Sequence, residues 1–189
     1  MEETNEQLVA LLDANVLYGN KIRDVLLWLA YMDVYTPRWT ERIQKEWSEN
    51  LGNNRPDLSS EKINGTKEQM SRSFPKACVN GYEGLEQTLV LPDPNDRHVL
   101  AAAIKTGAHV IVTENIRDFP PAYTSALNIN VMTVDQFIAM LIREDRAGVM
   151  YALEEQRKGF KKPPQTLHQM FDKLESLGLT QSVALLRVE

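Results

Sequence analysis

The run Leu8-Val9-Ala10-Leu11-Leu12, closed by Asp13, constrains this chain more than any other segment. Apolar residues in sequence without polar alternation fit a strand covered on both faces, as in a parallel sheet between helices. An acid directly after such a strand stands at its carboxyl end, where open α/β sheets bind ligands. His109-Val110-Ile111-Val112-Thr113 repeats the pattern and leads into Glu114-Asn115-Ile116-Arg117-Asp118-Phe119-Pro120. Acids gathered at that edge repel one another unless a divalent cation lies between them.

The intervening segments read as helices. Ile22, Val25, Leu26, Leu29 and Met32 recur at helical spacing, and Val34-Tyr35-Thr36 then gives a short strand closed by Pro37, which completes a first βαβ unit. Thr40 is placed to cap a helix running to about Leu51, with Gly52 as its stop and Glu46 beside its apolar face. Residues 59–74 form another helix, ended by Pro75. Pro92-Asp93-Pro94-Asn95-Asp96 opens a helix whose stripe is Val99, Leu100, Ala103 and Ile104, stopping at Gly107. Asn130-Val131-Met132 is a last short strand. From Val134 the pattern is helical, and Thr166 with Gln169 predicts a capping box for a helix with Leu167, Met170, Leu174 and Leu177 on one side. Lys161-Lys162-Pro163-Pro164 reads as an elbow before it. The alternation predicts an α/β fold with a central, mostly parallel sheet flanked by helices. The expected division is a domain over residues 1–139 and a C-terminal helical extension over 140–189, packed on that domain or at a dimer interface.

Composition narrows the function classes. A net charge of -5 argues against a bulk polyanion binder, although it leaves room for a local basic patch. The lone Cys78 excludes an internal disulfide, favours a reduced setting and reads as a buried structural thiol. The amino-terminal residues are acidic where a secretory signal is basic, and the longest apolar run, Val25 to Met32, is too short for a bilayer. A cytoplasmic protein with no membrane contact is expected.

Each acid also has an ordinary structural role. Asp96 complements a helix dipole, Asp93 is a natural N-cap, Glu46 suits a solvated helix face, and Asp118 suits the turn before Phe119-Pro120. Asp13 is the exception, because a carboxylate abutting a buried strand must be hydrogen-bonded, protonated or metal-bound. His98, His109 and His168 share no ligand spacing, so zinc is disfavoured and an all-oxygen site points to Mg²⁺ or Mn²⁺.

Three segments together resemble the main motifs of the PIN domain, in order: Leu11-Leu12-Asp13-Ala14-Asn15-Val16-Leu17-Tyr18, Asp93-Pro94-Asn95-Asp96-Arg97-His98-Val99-Leu100-Ala101-Ala102-Ala103, and Ile111-Val112-Thr113-Glu114-Asn115-Ile116-Arg117-Asp118-Phe119-Pro120. The subgroup resembled is the VapC-like toxins, and the resemblance runs from about Leu8 to Phe137. It implies a three-layer fold and Mg²⁺- or Mn²⁺-dependent endoribonuclease cleavage that leaves a 5′-phosphate and a 3′-hydroxyl. By position, Asp13 matches the first metal-binding acid, Glu46 the acid of the helix after the second strand, and Asp96 the acid of the second motif. The fourth position departs from the family: Asn115 stands where many members have an acid, so either Asp118, three residues later, reaches the second metal or Asn115 serves as a weaker neutral ligand, with Asp118 preferred.

The resemblance thus implies catalytic Asp13, Glu46, Asp96 and Asp118, with Asp13, Asp96 and Asp118 as metal ligands and Asn15, Asp93, Thr113 and Asn115 in support. Arg97 and Arg117, next to the acids, are expected to hold flanking RNA phosphates, against an ordinary role in surface ion pairs. The implied chemistry is in-line phosphodiester hydrolysis, with one metal supplying hydroxide and a second, roughly 3.5–4 Å away, stabilising the leaving oxygen. The implied partners are the RNA substrate, a small antitoxin and a second copy of the chain. A catalytically weak RNA- or protein-binding module is the alternative, as is an RNA-processing nuclease without a toxin role. A haloacid-dehalogenase-type phosphatase is disfavoured because it needs Asp where this chain has Asn15. A receiver domain is disfavoured for want of a convincing late Lys.

Overall fold

The computed structural model describes residues 7–161 and 163–188. Of the segments read above, the first six residues, Lys162 in the elbow and Glu189 lie outside the described residues. Strand β1 (Val9–Leu12) is followed by two helices, α1 (Ala14–Tyr18) and α2 (Asn20–Tyr31), and then by β2 (Thr36–Arg38). Helices α3 (Glu41–Asn54), α4 (Ser60–Ser73), α5 (Glu83–Glu86) and α6 (Arg97–Thr106) lead to β3 (Val110–Val112). After α7 (Pro121–Thr124) and β4 (Asn130–Met132) come α8 (Val134–Glu144), α9 (Arg146–Lys158), α10 (Leu167–Ser176) and α11 (Thr180–Arg187).

The sheet is parallel throughout, in the order β2-β1-β3-β4. Leu11 and Leu12 of β1 and Ile111 and Val112 of β3 are fully buried, as expected of inner strands with helices over both faces. The register pairs Leu12 with Val112 and Val112 with Met132, so Asp13, Thr113 and Thr133 leave the sheet side by side. The Asp13 amide donates to the Val112 carbonyl at 3.1 Å and the Thr113 amide to the Met132 carbonyl at 2.9 Å. These bonds hold the site-bearing residues to the sheet by their backbones.

Three local expectations are corrected. The second strand lies two residues later than Val34-Tyr35-Thr36, with Pro37 inside it opposite Ala10. β2 is the edge of the four-stranded sheet, where a residue without an amide proton is tolerated. Tyr35 is instead a core residue, its ring edge-on to Phe137 at 5.0 Å and its hydroxyl donating to the Leu26 carbonyl at 3.0 Å. Gly52 does not stop α3, which continues to Asn54. Cys78 is exposed rather than buried. It pairs with Trp39 in an extended bridge between the buried Ala77 and Val79, and strand alternation turns its thiol outward.

Other signals hold locally. Thr40 accepts the Ile43 amide at 3.0 Å, and Thr166 with Gln169 forms a complete capping box. Gly107 ends α6 at φ 62°, a left-handed conformation that glycine adopts without penalty. In the C-terminal part α9 packs on α2, and α11 on α8. Lys161 and Pro164 pair across the elbow. Among the described residues, no helix is long and apolar enough to cross a membrane.

Candidate active site

Asp13 stands at the carboxyl end of β1, beside Thr113 at the end of β3. Asp13 is buried and caps α1: its Oδ1 accepts the Ala14 amide at 2.7 Å. Its Oδ2 accepts Asn15 Nδ2 and the Thr113 hydroxyl, each at 2.7 Å. Burial raises the Asp13 carboxyl above its ordinary range, opposed by the Thr113 and Ala14 hydrogen bonds and by His98, while Glu46 adds to the rise. The buried Thr113 hydroxyl also accepts Asn15 Nδ2 at 2.9 Å and the Asn115 amide at 3.1 Å. Asn15 Oδ1 takes the Glu114 amide at 3.0 Å, and Glu114 Oε1 takes the Val134 amide at 3.1 Å. This chain of bonds joins the ends of β1 and β3 to the start of α8.

Asp96 ends a 3-10 turn over Pro94–Asp96 and stands at the head of α6. Its side chain makes no capping hydrogen bond, so its structural role at the helix head is limited to the charge–dipole effect. Asp93 does the capping, accepting the Asn95 amide at 2.8 Å. The Asp96 carboxyl is pushed up to about 6, first by burial and then by the charges of Asp118, Asp13 and Asp93. Asp118, closing the 3-10 turn Ile116–Asp118, is therefore near enough to act on Asp96. Asn115 is exposed and takes part through its backbone amide.

Glu46 projects from α3, whose other face is anchored by buried Ile43, Gln44 and Trp47. Trp47 Nε1 donates to Gln44 Oε1 at 2.6 Å, and the Arg23 guanidinium lies 4.6 Å over the indole ring. Glu46 is half-buried and partnered rather than a solvated helix residue. Arg42 Nε donates to its Oε1 at 3.1 Å, and His98 Nε2 faces the same oxygen at 3.3 Å. Burial works to raise the Glu46 carboxyl, but the bonds and charges of His98 and Arg42 outweigh it, and the group lies below its ordinary value. Arg97 Nε donates to the Pro94 carbonyl at 3.2 Å, within its own turn, and Arg117 is exposed.

A model described as the PIN domain matches residues 9–117. The chain belongs to the PIN domain family. A second model, described as the VapC50 C-terminal domain, matches residues 134–188. The chain is 34% identical over 82 residues to the Mycobacterium tuberculosis protein named "Putative ribonuclease VapC50", a match covering 42% of this chain and 47% of that protein. The matched part thus spans about half the length of that curated relative. No solved structure matches the chain.

The donors of this PIN domain fit a hard divalent cation. They are carboxylate oxygens, and Asp96 carries the repulsion that such an ion relieves. Among the described residues, no three His, Cys, Asp or Glu side chains are set as a ready cage. Sequence reasoning missed Arg42 and His98. The Arg42–Glu46 pair was readable as i,i+4 spacing on one helix, whereas His98 arrives from α6 and had no local signal.

Proposed function

We propose that the chain is a divalent-metal-dependent endoribonuclease acting in the cytoplasm, and the toxin of a toxin–antitoxin pair. The reading is carried by the buried Asp13 carboxylate, fixed by Thr113 and Asn15 at the carboxyl end of the parallel sheet, whose charge together with those of Asp118 and Asp93 helps hold the Asp96 carboxyl up to about 6. The match to a protein named as a ribonuclease supports the substrate class, and the VapC50-type C-terminal match supports the toxin class.

In this reading Asp13, Asp96 and Asp118 hold Mg²⁺ or Mn²⁺. Bound in pairs, such ions supply hydroxide at neutral pH and stabilise the leaving oxygen. Asp13 would offer a metal its Oδ1, which accepts a single hydrogen bond, whereas Oδ2 already accepts two. Thr113 and Asn15 fix that carboxylate, so little reorganisation is needed on binding. Glu46 orients the attacking water, and Asn115 assists beside Asp118. Asp93 holds the turn that carries Asp96. Arg97 and Arg117 take phosphates on either side of the scissile bond. Residues 140–189 form the helical extension, and the acidic cleft accepts a basic side chain from a small antitoxin, with homodimerisation as a further arrangement.

The test is cleavage of total RNA by the purified chain. Cleavage with Mg²⁺ or Mn²⁺, its loss with chelator, and inactivity of Asp13→Asn and Asp96→Asn are expected. Chelator-resistant cleavage, or full activity in either variant, overturns the reading.

A further inference from the structure

Arg42 makes three separate bonds to three segments. Its Nε donates to Glu46 Oε1 at 3.1 Å within α3, one terminal nitrogen donates to Glu86 Oε1 of α5 at 3.0 Å, and the other donates to the Asn95 carbonyl at 3.3 Å. Asn95 directly precedes Asp96. A single half-exposed i,i+4 ion pair contributes only a few tenths of a kcal/mol. Stability is thus a weak reason for this arrangement, and the planar guanidinium, which presents several donors in fixed directions, suits a geometric one.

His98 completes the grip from the opposite side. It is 2% exposed, and its Nε2 stands 3.3 Å from the Glu46 oxygen that Arg42 also holds. Among the described residues its buried Nδ1 has no partner. A proton on Nδ1 would be a buried orphan donor, which makes Nε2, facing Glu46, the nitrogen placed to donate. Both groups converge on Oε1, and Oε2 accepts no hydrogen bond among the described residues.

We propose that Arg42 is a positioning residue which, with His98, clamps Glu46 through one oxygen and ties α3 to the turn ahead of Asp96, leaving Oε2 to the cleft. The clamp rests on the nuclease reading above. It links two acids on different segments, Glu46 on α3 and Asp96 in the turn ahead of α6. Arg42 acts through Glu46 and Asp96 rather than on the substrate.

The experiment compares the full chain with Arg42→Lys, His98→Gln and Glu86→Gln, using a fluorogenic RNA oligonucleotide with Mn²⁺ and, separately, Mn²⁺ binding by electron paramagnetic resonance. Lysine reaches one of the three partners, so Arg42→Lys lowers kcat by about 10- to 100-fold with KM changed less than about twofold. It also weakens Mn²⁺ binding. His98→Gln keeps an amide donor toward Glu46 and retains more activity than Arg42→Lys. Glu86→Gln keeps an acceptor for Arg42, stays within about threefold of wild type, and shows that the local fold survives. A rise in KM with kcat intact makes Arg42 an RNA contact and overturns the clamp, as does wild-type kcat and Mn²⁺ binding in Arg42→Lys. If the wild type binds Mn²⁺ but cleaves no RNA, the nuclease reading falls, and weaker Mn²⁺ binding in Arg42→Lys still supports the clamp.

Discussion

Asp96→Asn should make the metal-free protein more stable while abolishing the proposed activity. The folded chain holds the Asp96 proton up to about pH 6, against an ordinary value of 3.8, because burial and the charges of Asp118, Asp13 and Asp93 disfavour the anion. His98 opposes this to a lesser degree. The sign follows from linkage: the folded state binds the proton more tightly than the unfolded state, so stability falls as pH rises from about 4 to about 6. Two units at 1.36 kcal/mol each set a ceiling of about 3 kcal/mol at pH 7.5. Asp96 is partly exposed and screened by solvent, which reduces the expected penalty to about 1 kcal/mol. The amide removes that penalty, so its melting midpoint in chelator at pH 7.5 should exceed wild type by about 2–4 °C. The gain should be smaller at pH 5 than at pH 7.5 and smaller again at pH 4. Mn²⁺ should raise the wild-type midpoint more than that of the variant, because the wild type alone has the full ligand set. The assay is thermal unfolding followed by circular dichroism at the three pH values. A variant less stable than wild type at pH 7.5, or a gain independent of pH, would refute the electrostatic argument.

Two further expectations concern the scaffold. Thr113→Val removes a buried hydroxyl that donates to Asp13 and accepts from Asn15 and the Asn115 amide; urea denaturation should show a loss of about 2–3 kcal/mol, and a loss below about 0.5 kcal/mol would contradict the role given to this bond. Gly148→Ala places a Cβ 2.1 Å from Asp145 Oδ2, whose partner oxygen caps α9 by accepting the Gly148 amide at 2.8 Å. Losing that cap should cost about 1 kcal/mol by the same measurement, and an unchanged midpoint would show that the cap relocates without cost.

What was legible in the sequence was what local chemistry decides. The β1 run and its terminal acid, the helix opened by Pro94 and stopped by Gly107, and the caps at Thr40 and Thr166 each depend on residues within a few positions of one another. The second strand was misplaced because Val34-Tyr35-Thr36 has strand-like composition, while Tyr35 is claimed by Phe137 across the core and pairing with β1 selects Thr36–Arg38. Gly52 looked like a stop, yet α3 is carried past it by packing on α4, the Gly52 Cβ position lying 3.6 Å from Ile63 Cδ1. Cys78 was assigned by residue type, whereas its exposure depends on a bridge to Trp39, which is distant in sequence.

The candidate site divides along the same line. Asp13, Asp96 and Asp118 could be singled out because Asp13 follows a strand and the other two close short turns, positions that backbone patterns reveal. The surroundings that give them different properties could not. Asp13 is fixed by Thr113, a hundred residues away in sequence, and Glu46 is held by His98 and shares Arg42 with Glu86 and Asn95. The histidines lack metal-ligand spacing, and that criterion speaks only to metal ligands. It does not apply to a residue whose partner is a carboxylate. A search for ligand spacing finds atoms that share an ion, whereas a residue that holds one of those ligands in place can come from any element packed beside it. The acids and the groups that position them therefore leave different traces, and only the first kind is written along the chain.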